Sequence, residues 1–444
     1  MPIVTFADVL ETTIPPSNSS AGGGGEHKHS EDGTRNRSTQ QQPSSLARRR
    51  HPSVWRLVLI SILLTGAIVV AIVLWRRNDT TNIRNNSNDF YDDGRFRNPS
   101  QAQWALRGDD IAAPDALVQI QLSGDARTLA VVNTTYIQLY QWRDNEEQWI
   151  KLAGFEAPGV KAVTLAGDGR RLAVATEGDN RVRFYDNLKA GRWSLRPEFL
   201  GAPQDCWISL DYSGILLAVG KPVPVDGSVT ELSARVQILR WNFGRATWTP
   251  ETENLSGAGA STRVHWAADG KTIVDVSTAG QVLTWQRRTD DATASWIRKG
   301  NALSSEQEGT FFGQALSLSG NGNVLAVASP EFEGRGRVQV YDFKQGRWQA
   351  RRQGLSGSSV DYSFGSDVCL SANGNLLSAV HGDVVRLYQA VGNDRWSVVG
   401  TDISGNENEP PVWDQLECSA SGRVLAVSSR AAQIIRIVQV VEAS

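Results

Sequence analysis

The sequence predicts an all-β fold, a seven-bladed β-propeller, preceded by a single transmembrane helix and a polar N-terminal tail. One strand-turn-strand pattern recurs seven times after residue 115, at spacings of 43 to 56 residues. Six of the seven repeats are followed by a further strand that begins near a tryptophan, and the chain contains 15 Trp against 8 Tyr. Regular repeats of this length indicate stacked or radially arranged units that share a core.

The first 100 residues divide into three segments. Residues 1–54 are polar with a glycine run at 22–25, and such a segment buries too little apolar surface to fold, so we predict a disordered cytosolic tail. Residues 55–75 include 18 consecutive uncharged residues between Trp55 and Trp75, enough to cross a bilayer as a signal-anchor helix. Residues 76–100 are polar and Asn-rich, which is typical of a stalk.

The charges that flank the apolar segment favour a type II orientation, with the propeller lumenal or extracellular. Four arginines precede the segment within 15 residues and three follow it, which is a small excess on the N-terminal side. An internal span without a preceding signal peptide also fits a signal anchor. Glycosylation sequons at Asn85, Asn133 and Asn254 agree with this orientation, but Asn18 and Asn36 also match the sequon.

Each repeat begins with two strands joined by a tight turn, as in "TLAGDGRRLAVA" and "SLSGNGNVLAVA". The second residue of each repeat serves as its reference position: Leu122, Leu165, Leu210, Trp266, Leu318, Leu370 and Cys418. Six repeats place glycine four residues later, with Ala126 as the exception. Asp-Gly and Asn-Gly between apolar runs predict a type I′ hairpin with two positive φ angles.

A third, alternating strand and a fourth, tryptophan-initiated strand complete the unit. The chain stops after the third strand of the seventh unit, while "QWALRG" precedes the first unit, so we expect the strand around Trp104 to close the ring. The indoles are predicted to pack between neighbouring units with their N–H groups satisfied. The seven blade tryptophans are Trp104, Trp149, Trp193, Trp248, Trp296, Trp348 and Trp396.

The closing strand ends in Arg107-Gly108-Asp109, a tripeptide that serves as an adhesion ligand in many extracellular proteins. Gly108 corresponds to the glycines of the other W-x-x-x-G strands, Gly300 and Gly400. Ordinary residue frequencies also produce such a tripeptide in about one chain in ten of this length. We therefore favour a structural role over adhesion.

Units five and six resemble the FG-GAP repeat, which builds the propeller of integrin α chains. The resemblance is carried by Phe312-Gly313, Phe364-Gly365, "LAVASP" and the "GRVQVY" strand that starts at Gly336. The whole layout is similar to a family of single-pass membrane propeller proteins from diatoms and related algae. The family resemblance makes calcium possible, but no D-x-D-x-D-G loop occurs here, so we predict no cofactor and no metal residue.

Catalytic and redox motifs give no positive signal. His265 and His381 lie in different repeat positions without metal-ligand spacing, and no nucleophile elbow or phosphate loop occurs, so no catalytic residue is predicted. Cys369 and Cys418 lie one register position apart in adjacent units, which predicts opposite side-chain directions and free thiols. With a net charge of −2, the chain has no global field to attract nucleic acid.

Topology places the long connections on one face and the short turns on the other. The long loops carry the candidate partner-binding residues, all acidic: Asp226, Glu231, Glu306, Glu308, Glu331, Glu333, Glu407 and Glu409. The short turns carry a basic set: Arg170, Arg192, Lys271, Arg347, Arg395 and Arg423. We expect a binding, adhesion or scaffold module for protein or glycan partners. The alternative is a membrane-tethered carbohydrate-active enzyme with carboxylates near the propeller axis.

Overall fold

The computed structural model describes residues 95–442, except 178–180, 190, 202–205, 225–231, 252–254, 258–260, 278–279, 289–294, 306, 308, 353, 359–362, 393–394 and 405–411. The predicted tail, the predicted transmembrane helix and the stalk up to residue 94 lie outside these ranges. Within them, no helix is long and apolar enough to span a bilayer.

The described chain is built from short strands and two 3₁₀ turns, η1 (Pro99–Gln101) and η2 (Phe332–Gly334). The first half contains β1 (Ala102–Leu106), β2 (Ile111–Ala112), β3 (Leu117–Leu122), β4 (Thr128–Asn133), β5 (Tyr136–Arg143), β6 (Gln148–Lys151), β7 (Phe155–Glu156), β8 (Val160–Leu165), β9 (Arg171–Thr176), β10 (Arg181–Lys189), β11 (Arg192–Gly201), β12 (Trp207–Leu210), β13 (Leu216–Pro224), β14 (Leu232–Asn242), β15 (Thr247–Pro250) and β16 (Leu255–Gly257). The second half contains β17 (Ser261–Trp266), β18 (Thr272–Ser277), β19 (Val282–Arg287), β20 (Trp296–Arg298), β21 (Leu316–Leu318), β22 (Val324–Ser329), β23 (Arg337–Lys344), β24 (Arg347–Ala350), β25 (Leu355–Ser356), β26 (Val368–Leu370), β27 (Leu376–His381), β28 (Val384–Val391), β29 (Arg395–Ile403), β30 (Gln415–Cys418), β31 (Val424–Ser429) and β32 (Ile434–Glu442).

These strands form seven antiparallel sheets, which confirms the seven-bladed propeller. Blades I to VI are β3–β6, β8–β11, β12–β15, β17–β20, β21–β24 and β26–β29, each in simple up-and-down order. Blade VII is β30, β31 and β32 with β1 as its outer strand. The first strand of each blade lines the central axis, and the fourth lies at the periphery.

Ring closure by the N-terminal strand is confirmed. β1 pairs antiparallel with β32, so that Trp104 lies opposite Val440 and Ala102 opposite Glu442. The chain preceding β1 also joins the propeller: Phe96 is only 3% exposed and packs with Val440 and Leu376. Its backbone exchanges two hydrogen bonds with the Gln389 side chain. The last residues of the predicted stalk therefore belong to the packed domain.

The hairpin between the first two strands differs from the predicted type I′ turn. In blade I the Ala126 amide donates to the Ser123 carbonyl, and only Ala126 has a positive φ, of 54°. Gly169 and Gly322 occupy the same position with φ of 67° and 66°. The turn therefore needs one left-handed residue, as in longer hairpin loops built on a type I turn. The Ser123 hydroxyl accepts the Thr128 amide across the loop and fixes its shape.

The cores lie between blades, where facing sheets bury apolar side chains. The contact between blades II and III, for example, combines Phe184 with Leu217, Trp241 and Trp248. The two Phe-Gly pairs occupy equivalent positions, just before the first strands of blades V and VI. Phe312 and Phe364 are buried, and the glycines that follow them have φ of 84° and 82°. Each of those glycines lies against the second and third strands of the preceding blade, where a Cβ would crowd valine methyl groups.

A disulfide joins Cys369 of blade VI to Cys418 of blade VII, so the predicted free thiols are wrong. The prediction failed because the alternation of side-chain directions along a strand applies within one sheet, whereas the two cysteines belong to different sheets. Where two blades pack against each other, a side chain from the front face of one sheet meets a side chain from the back face of the next. Two residues that are one position apart in the repeat point to opposite faces of their own sheets, so they can meet between the blades. Cys206, the third cysteine, is buried and lies outside the disulfide.

The blade tryptophans contact the preceding blade, but their N–H groups are satisfied unevenly. Trp104 donates to the Thr401 carbonyl, Trp149 to the Arg107 carbonyl and Trp348 to the Thr284 hydroxyl. Among the described residues, the indole N–H groups of Trp193, Trp248 and Trp296 have no acceptor. For these the contact is mainly apolar: the Trp248 ring centroid lies 4.8 Å from that of Phe184 in blade II.

Candidate binding face

The propeller has two unlike ends, here named the turn face and the loop face. The turn face carries the hairpins that join the first to the second strand and the third to the fourth strand of each blade. The loop face carries the connections from the second to the third strand and from each blade to the next. Because Ala102 lies beside Glu442, where β32 ends, the chain enters the domain at the turn face.

The turn-face end of the central channel is narrowed by a ring of backbone hydrogen bonds between neighbouring hairpins. Six of the seven blade-to-blade links occur among the described residues, and two of them are the Gly124 amide to the Gly167 carbonyl and the Gly320 amide to the Ala372 carbonyl. Strands spaced about 4.8 Å apart make a seven-membered circle about 11 Å across. The residue two positions after the reference residue is small in six repeats, which lets neighbouring hairpins come within hydrogen-bond distance of each other. These residues are Gly124, Gly167, Ala268, Gly320, Ala372 and Ala420.

Tyr212 is the one large residue of this ring, and its side chain lies over the hairpins of blades I and II. Its phenol lies against Gly124 and Gly167, so closely that a Cβ on Gly167 would be 2.2 Å from the Tyr212 ring. Burial and the carboxylates of Asp125 and Asp168 raise the pKa of Tyr212. Burial also raises the pKa of Asp168 to about 6, against the opposing hydrogen bond from the Arg170 amide. The turn-face end of the ring is therefore tightly packed.

Polar residues of the inner strands link each blade to the next. In three blades the residue before the reference position accepts an amide of the following blade: Gln121 from Leu165, Thr164 from Leu210 and Ser317 from Leu370. An inner strand is a sheet edge with unpaired amides, and these side chains pair them. Much of the polar lining of the channel is therefore structural.

Glu417 is the inner-strand residue whose carboxyl group has a property beyond the linking of blades, namely a strongly raised pKa. Its Oε1 accepts a 2.6 Å hydrogen bond from Nε2 of Gln121 in the neighbouring blade. Burial and the nearby charge of Asp367 raise the pKa of Glu417 well above its usual range. Asp367 itself accepts the amides of Val368 and Leu416. A carboxyl with a raised pKa on the channel wall can remain protonated near neutral pH and donate a hydrogen bond or a proton.

Of the eight acidic residues predicted for the loop face, the structure describes two. Glu331 and Glu333 are exposed and flank Phe332 in the η2 turn of blade V. The other six, Asp226, Glu231, Glu306, Glu308, Glu407 and Glu409, lie outside the described residues. The structure does not place the acidic set as one surface, so that interpretation stays a prediction.

The loop that carries Glu331 and Glu333 is held to the rigid part of blades V and VI. Gly336 has a φ of 82°, and a Cβ there would lie 2.2 Å from the Phe364 carbonyl oxygen, so the backbones touch. The Arg337 guanidinium lies 5.0 Å from the centre of the Phe332 ring. Glu333 has a φ of 51°. The two carboxylates therefore project from a turn with a defined shape.

Trp207 and Phe311 are the most exposed aromatic side chains of the loop face among the described residues, and neither is among the candidate residues of the sequence analysis. Trp207 opens the inner strand of blade III and is 44% exposed, and Phe311 in the connection to blade V is 65% exposed with a φ of 50°. Trp207 could have been found from the sequence, because it is a tryptophan that does not occupy the position of the seven blade tryptophans. Exposed aromatic surfaces beside a channel can stack on a sugar ring or hold an apolar side chain.

The Arg-Gly-Asp tripeptide is held by the fold. The Arg107 guanidinium lies 4.5 Å above the Trp142 ring and donates to the Gln439 side chain. Gly108 has a φ of 79°, and a Cβ there would meet Trp149 at 3.1 Å. Asp109 is exposed. With its arginine side chain engaged in the domain, the tripeptide serves closure of the ring.

Of the three predicted glycosylation sites, only Asn133 is described. It lies on the loop face between β4 and β5, and its Oδ1 accepts the Thr135 and Tyr136 amides. Thr134 and Thr135 are exposed. Asn85 and Asn254 lie outside the described residues.

The predicted basic residues do lie on turn-face hairpins, or directly beside them. Five are exposed: Arg170, Arg192, Lys271, Arg347 and Arg395. Arg423 is partly buried, with its guanidinium 4.6 Å from the Phe96 ring centroid. A shallow groove between blades IV and V is lined by Arg298, Asn301 and Arg347. The Asn301 side chain accepts the Trp348 amide, so this residue joins the two blades to each other.

No group of three or more histidine, cysteine or carboxylate side chains with metal-binding geometry occurs among the described residues. The chain matches no protein-family model. No curated protein matches it significantly. The functional interpretation therefore depends on the fold and on the two faces.

Proposed function

We propose that this protein is a membrane-anchored binding module, which presents the loop face of its propeller to a protein or glycan partner outside the cytosol. The observation that carries the proposal is the asymmetry of the propeller. The described chain enters the propeller at the turn face, where neighbouring hairpins and Tyr212 are tightly packed. The exposed side chains of Trp207 and Phe311 lie at the other end, where the sequence also places the long connections. Long connections on a rigid scaffold are where recognition commonly resides.

The disulfide supports an extracytoplasmic location. Cys369 and Cys418 are joined across two blades, and such bonds persist mainly in oxidising compartments. The Asn133 sequon lies on the loop face beside two exposed threonines, where an oligosaccharide would meet no packed surface. We also propose that the repeats are of the FG-GAP type, since both Phe-Gly pairs make equivalent contacts with the preceding blade.

Topology can be tested in cells with full-length protein. We expect the propeller to be protected from protease in intact microsomes, the N-terminal tail to be cleaved, and the protein to resist alkaline extraction. Glycosidase treatment should increase gel mobility, and Asn133→Gln should remove one step of that shift. A propeller cleaved in intact microsomes would refute the orientation.

Partner binding can be tested by exchanging the long connections. Replacement of 225–231 or of 404–412 by short Gly/Ser linkers, which leaves β13, β14, β29 and the buried Trp413 intact, should abolish capture of a partner that wild-type protein retains, on a glycan array or by affinity purification. Replacement of the blade V turn-face hairpin at 344–347 is the matched control and should leave capture intact. Unchanged capture after both loop exchanges would refute the loop face as the binding surface.

A carbohydrate-active enzyme is the second candidate, and the raised pKa of Glu417 is the observation that favours it. Glycosidases use a protonated carboxyl as general acid and a second carboxylate as base or nucleophile. Asp367 is the nearby carboxylate, although two backbone amides occupy it. Turnover of a chromogenic glycoside panel, lost in Glu417→Gln, would establish this function, and no turnover by wild-type protein would exclude it for those substrates.

A further inference from the structure

The groove between blades IV and V, here named the IV–V groove, lies on the outer rim of the propeller. It has a volume of about 770 Å³, within the range of roughly 300–1,000 Å³ that is usual for ligand sites. Blade IV contributes Arg298 and Asn301 to its lining, and blade V contributes Arg347 and Gln349. The groove is therefore built by two blades, with a basic and an amide side chain from each.

Both guanidinium groups of the IV–V groove are available to a ligand. Arg298 and Arg347 are exposed, and neither forms an ion pair within the described part of the chain. The Arg298 guanidinium lies 5.1 Å from the centre of the Trp285 ring, a contact that limits its movement. A guanidinium group can donate two parallel hydrogen bonds to a carboxylate, sulfate or phosphate. Two unpaired guanidinium groups at one groove therefore favour an oxyanion.

Described carboxylates near the groove do not take the place of such a ligand. Burial lowers the pKa of Arg298 and the charge of Asp275 opposes this, but Asp275 is only 1% exposed. Asp342, which lies opposite Gln349 in the sheet, is engaged by Lys344 and Arg351. The lining itself contains two arginines and no carboxylate, so its charge is positive.

The rest of the lining favours a hydroxylated ligand. Gly300 and Gly346 present only backbone, and Trp348 is 4% exposed, so the lining offers little apolar surface to a peptide side chain. Asn301 and Gln349 are exposed, and each amide nitrogen gives one 3.3 Å hydrogen bond to a backbone carbonyl. The second N–H of each remains for a ligand, and such amides suit the hydroxyl groups of a sugar.

The same pair of positions is basic at one other junction, between blades I and II. The equivalent residues there are Lys151 and Arg192, both exposed. The residue after the glycine of the fourth strand differs, because Phe155 replaces Asn301 and its ring centroid lies 4.3 Å from that of Tyr185. This junction has the charge of the IV–V groove without its amide, and it provides a matched control.

We propose that the IV–V groove binds an acidic saccharide. Arg298 and Arg347 pair with its sulfate or carboxylate groups, and the amides of Asn301 and Gln349 bond its hydroxyl groups. The site is on the rim, apart from the long connections, so it is a second recognition site beyond the proposed function of the loop face. Replacement of the 344–347 hairpin removes Arg347, so a ligand lost in that variant alone is a ligand of the groove.

The test uses full-length protein in a non-ionic detergent and fluorescently labelled probes whose binding is followed by polarisation. The probes are a sulfated dextran oligosaccharide, an oligogalacturonate, neutral dextran and polyglutamate. The first two distinguish sulfate from carboxylate as the recognised group. Urea midpoints of all variants report whether they fold, and Arg347→Gln, which removes no described ion pair, should keep the wild-type midpoint.

We expect wild-type protein to bind at least one of the two acidic saccharides and not neutral dextran. Arg298→Gln and Arg347→Gln should each raise the Kd at least about tenfold, through loss of a charge-assisted hydrogen bond. Lys151→Gln combined with Arg192→Gln removes as much charge as the two groove variants together, and should change the Kd less than about twofold, because salt screens distant charges.

Three results would overturn the proposal. Equal weakening by the control pair would show a response to charge alone, and equal or tighter binding of polyglutamate would show a peptide ligand. Wild-type protein that binds neither acidic saccharide would also refute it. Failure of the loop exchanges to alter partner capture would instead refute the proposed function of the loop face, whatever the groove binds.

Discussion

The disulfide between Cys369 and Cys418 should contribute strongly to the free energy of unfolding. The bond closes a loop across 49 residues of sequence and ties blade VI to blade VII, the blade completed by β1. In the chain-entropy account, a loop of this length corresponds to about 4 kcal/mol of stabilisation through the unfolded state. Cys369→Ser combined with Cys418→Ser should lower the unfolding free energy by about that amount, measured by urea denaturation with tryptophan fluorescence.

The comparison with reduced wild-type protein separates the bond from the side chains. Wild-type protein unfolded in the presence of reductant should match the double variant, and reductant should not affect the double variant further. Cys206→Ala is the control, because Cys206 is buried and takes no part in the disulfide, so its replacement should leave the response to reductant unchanged. A double variant within about 1 kcal/mol of the oxidised wild type would refute the loop-closure reasoning.

Three further predictions concern closure, hydrogen bonding and pH. A protein that starts at residue 112 lacks the strand around Trp104 and should lose cooperative thermal unfolding; a melting curve equal to that of a protein starting at 95 would contradict the closure role. Trp348→Phe should cost about 0.5–1.5 kcal/mol more than Trp248→Phe, because only the former loses an indole hydrogen bond, while the Thr284 hydroxyl and the Lys299 carbonyl stay bonded to each other; equal urea midpoints would contradict this. The folded pKa of Asp168 is raised to about 6, so its contribution to stability is lost as pH rises from about 4 through 6, and Asp168→Asn should remove that slope and gain at most about 3 kcal/mol at pH 7; an unchanged pH profile of urea midpoints would contradict the burial argument.

The repeated parts of the fold were accessible to sequence reasoning. Each blade must bury both faces and turn within a few residues, so the left-handed residue of the first hairpin, glycine in six blades and Ala126 in the other, recurs at a nearly fixed offset, as does the tryptophan of each fourth strand. The same regularity identified the missing strand of blade VII and predicted its replacement by the segment around Trp104. Repetition supplies several independent observations of one structural requirement.

Features that depend on contacts between blades were harder to predict. The disulfide was missed because side-chain alternation was applied within a sheet, whereas the two cysteines face each other across sheets. The ring around Gly124 and Gly320 had a visible signal, a small residue two positions after the reference residue, but its meaning depends on the spacing of seven hairpins. The carboxylates of the long connections follow no repeat, so their mutual positions could not be derived.

The ring of hairpins fastens blade VII to blade I at a second place, apart from the pairing of β1 with β32. The Ala420 amide donates to the Gly124 carbonyl, so the first and last blades are joined at their inner edges as well as at the periphery. Loss of β1 would remove the outer fastening and leave the inner one, so separation of the two blades should begin at the rim of the propeller and proceed inward.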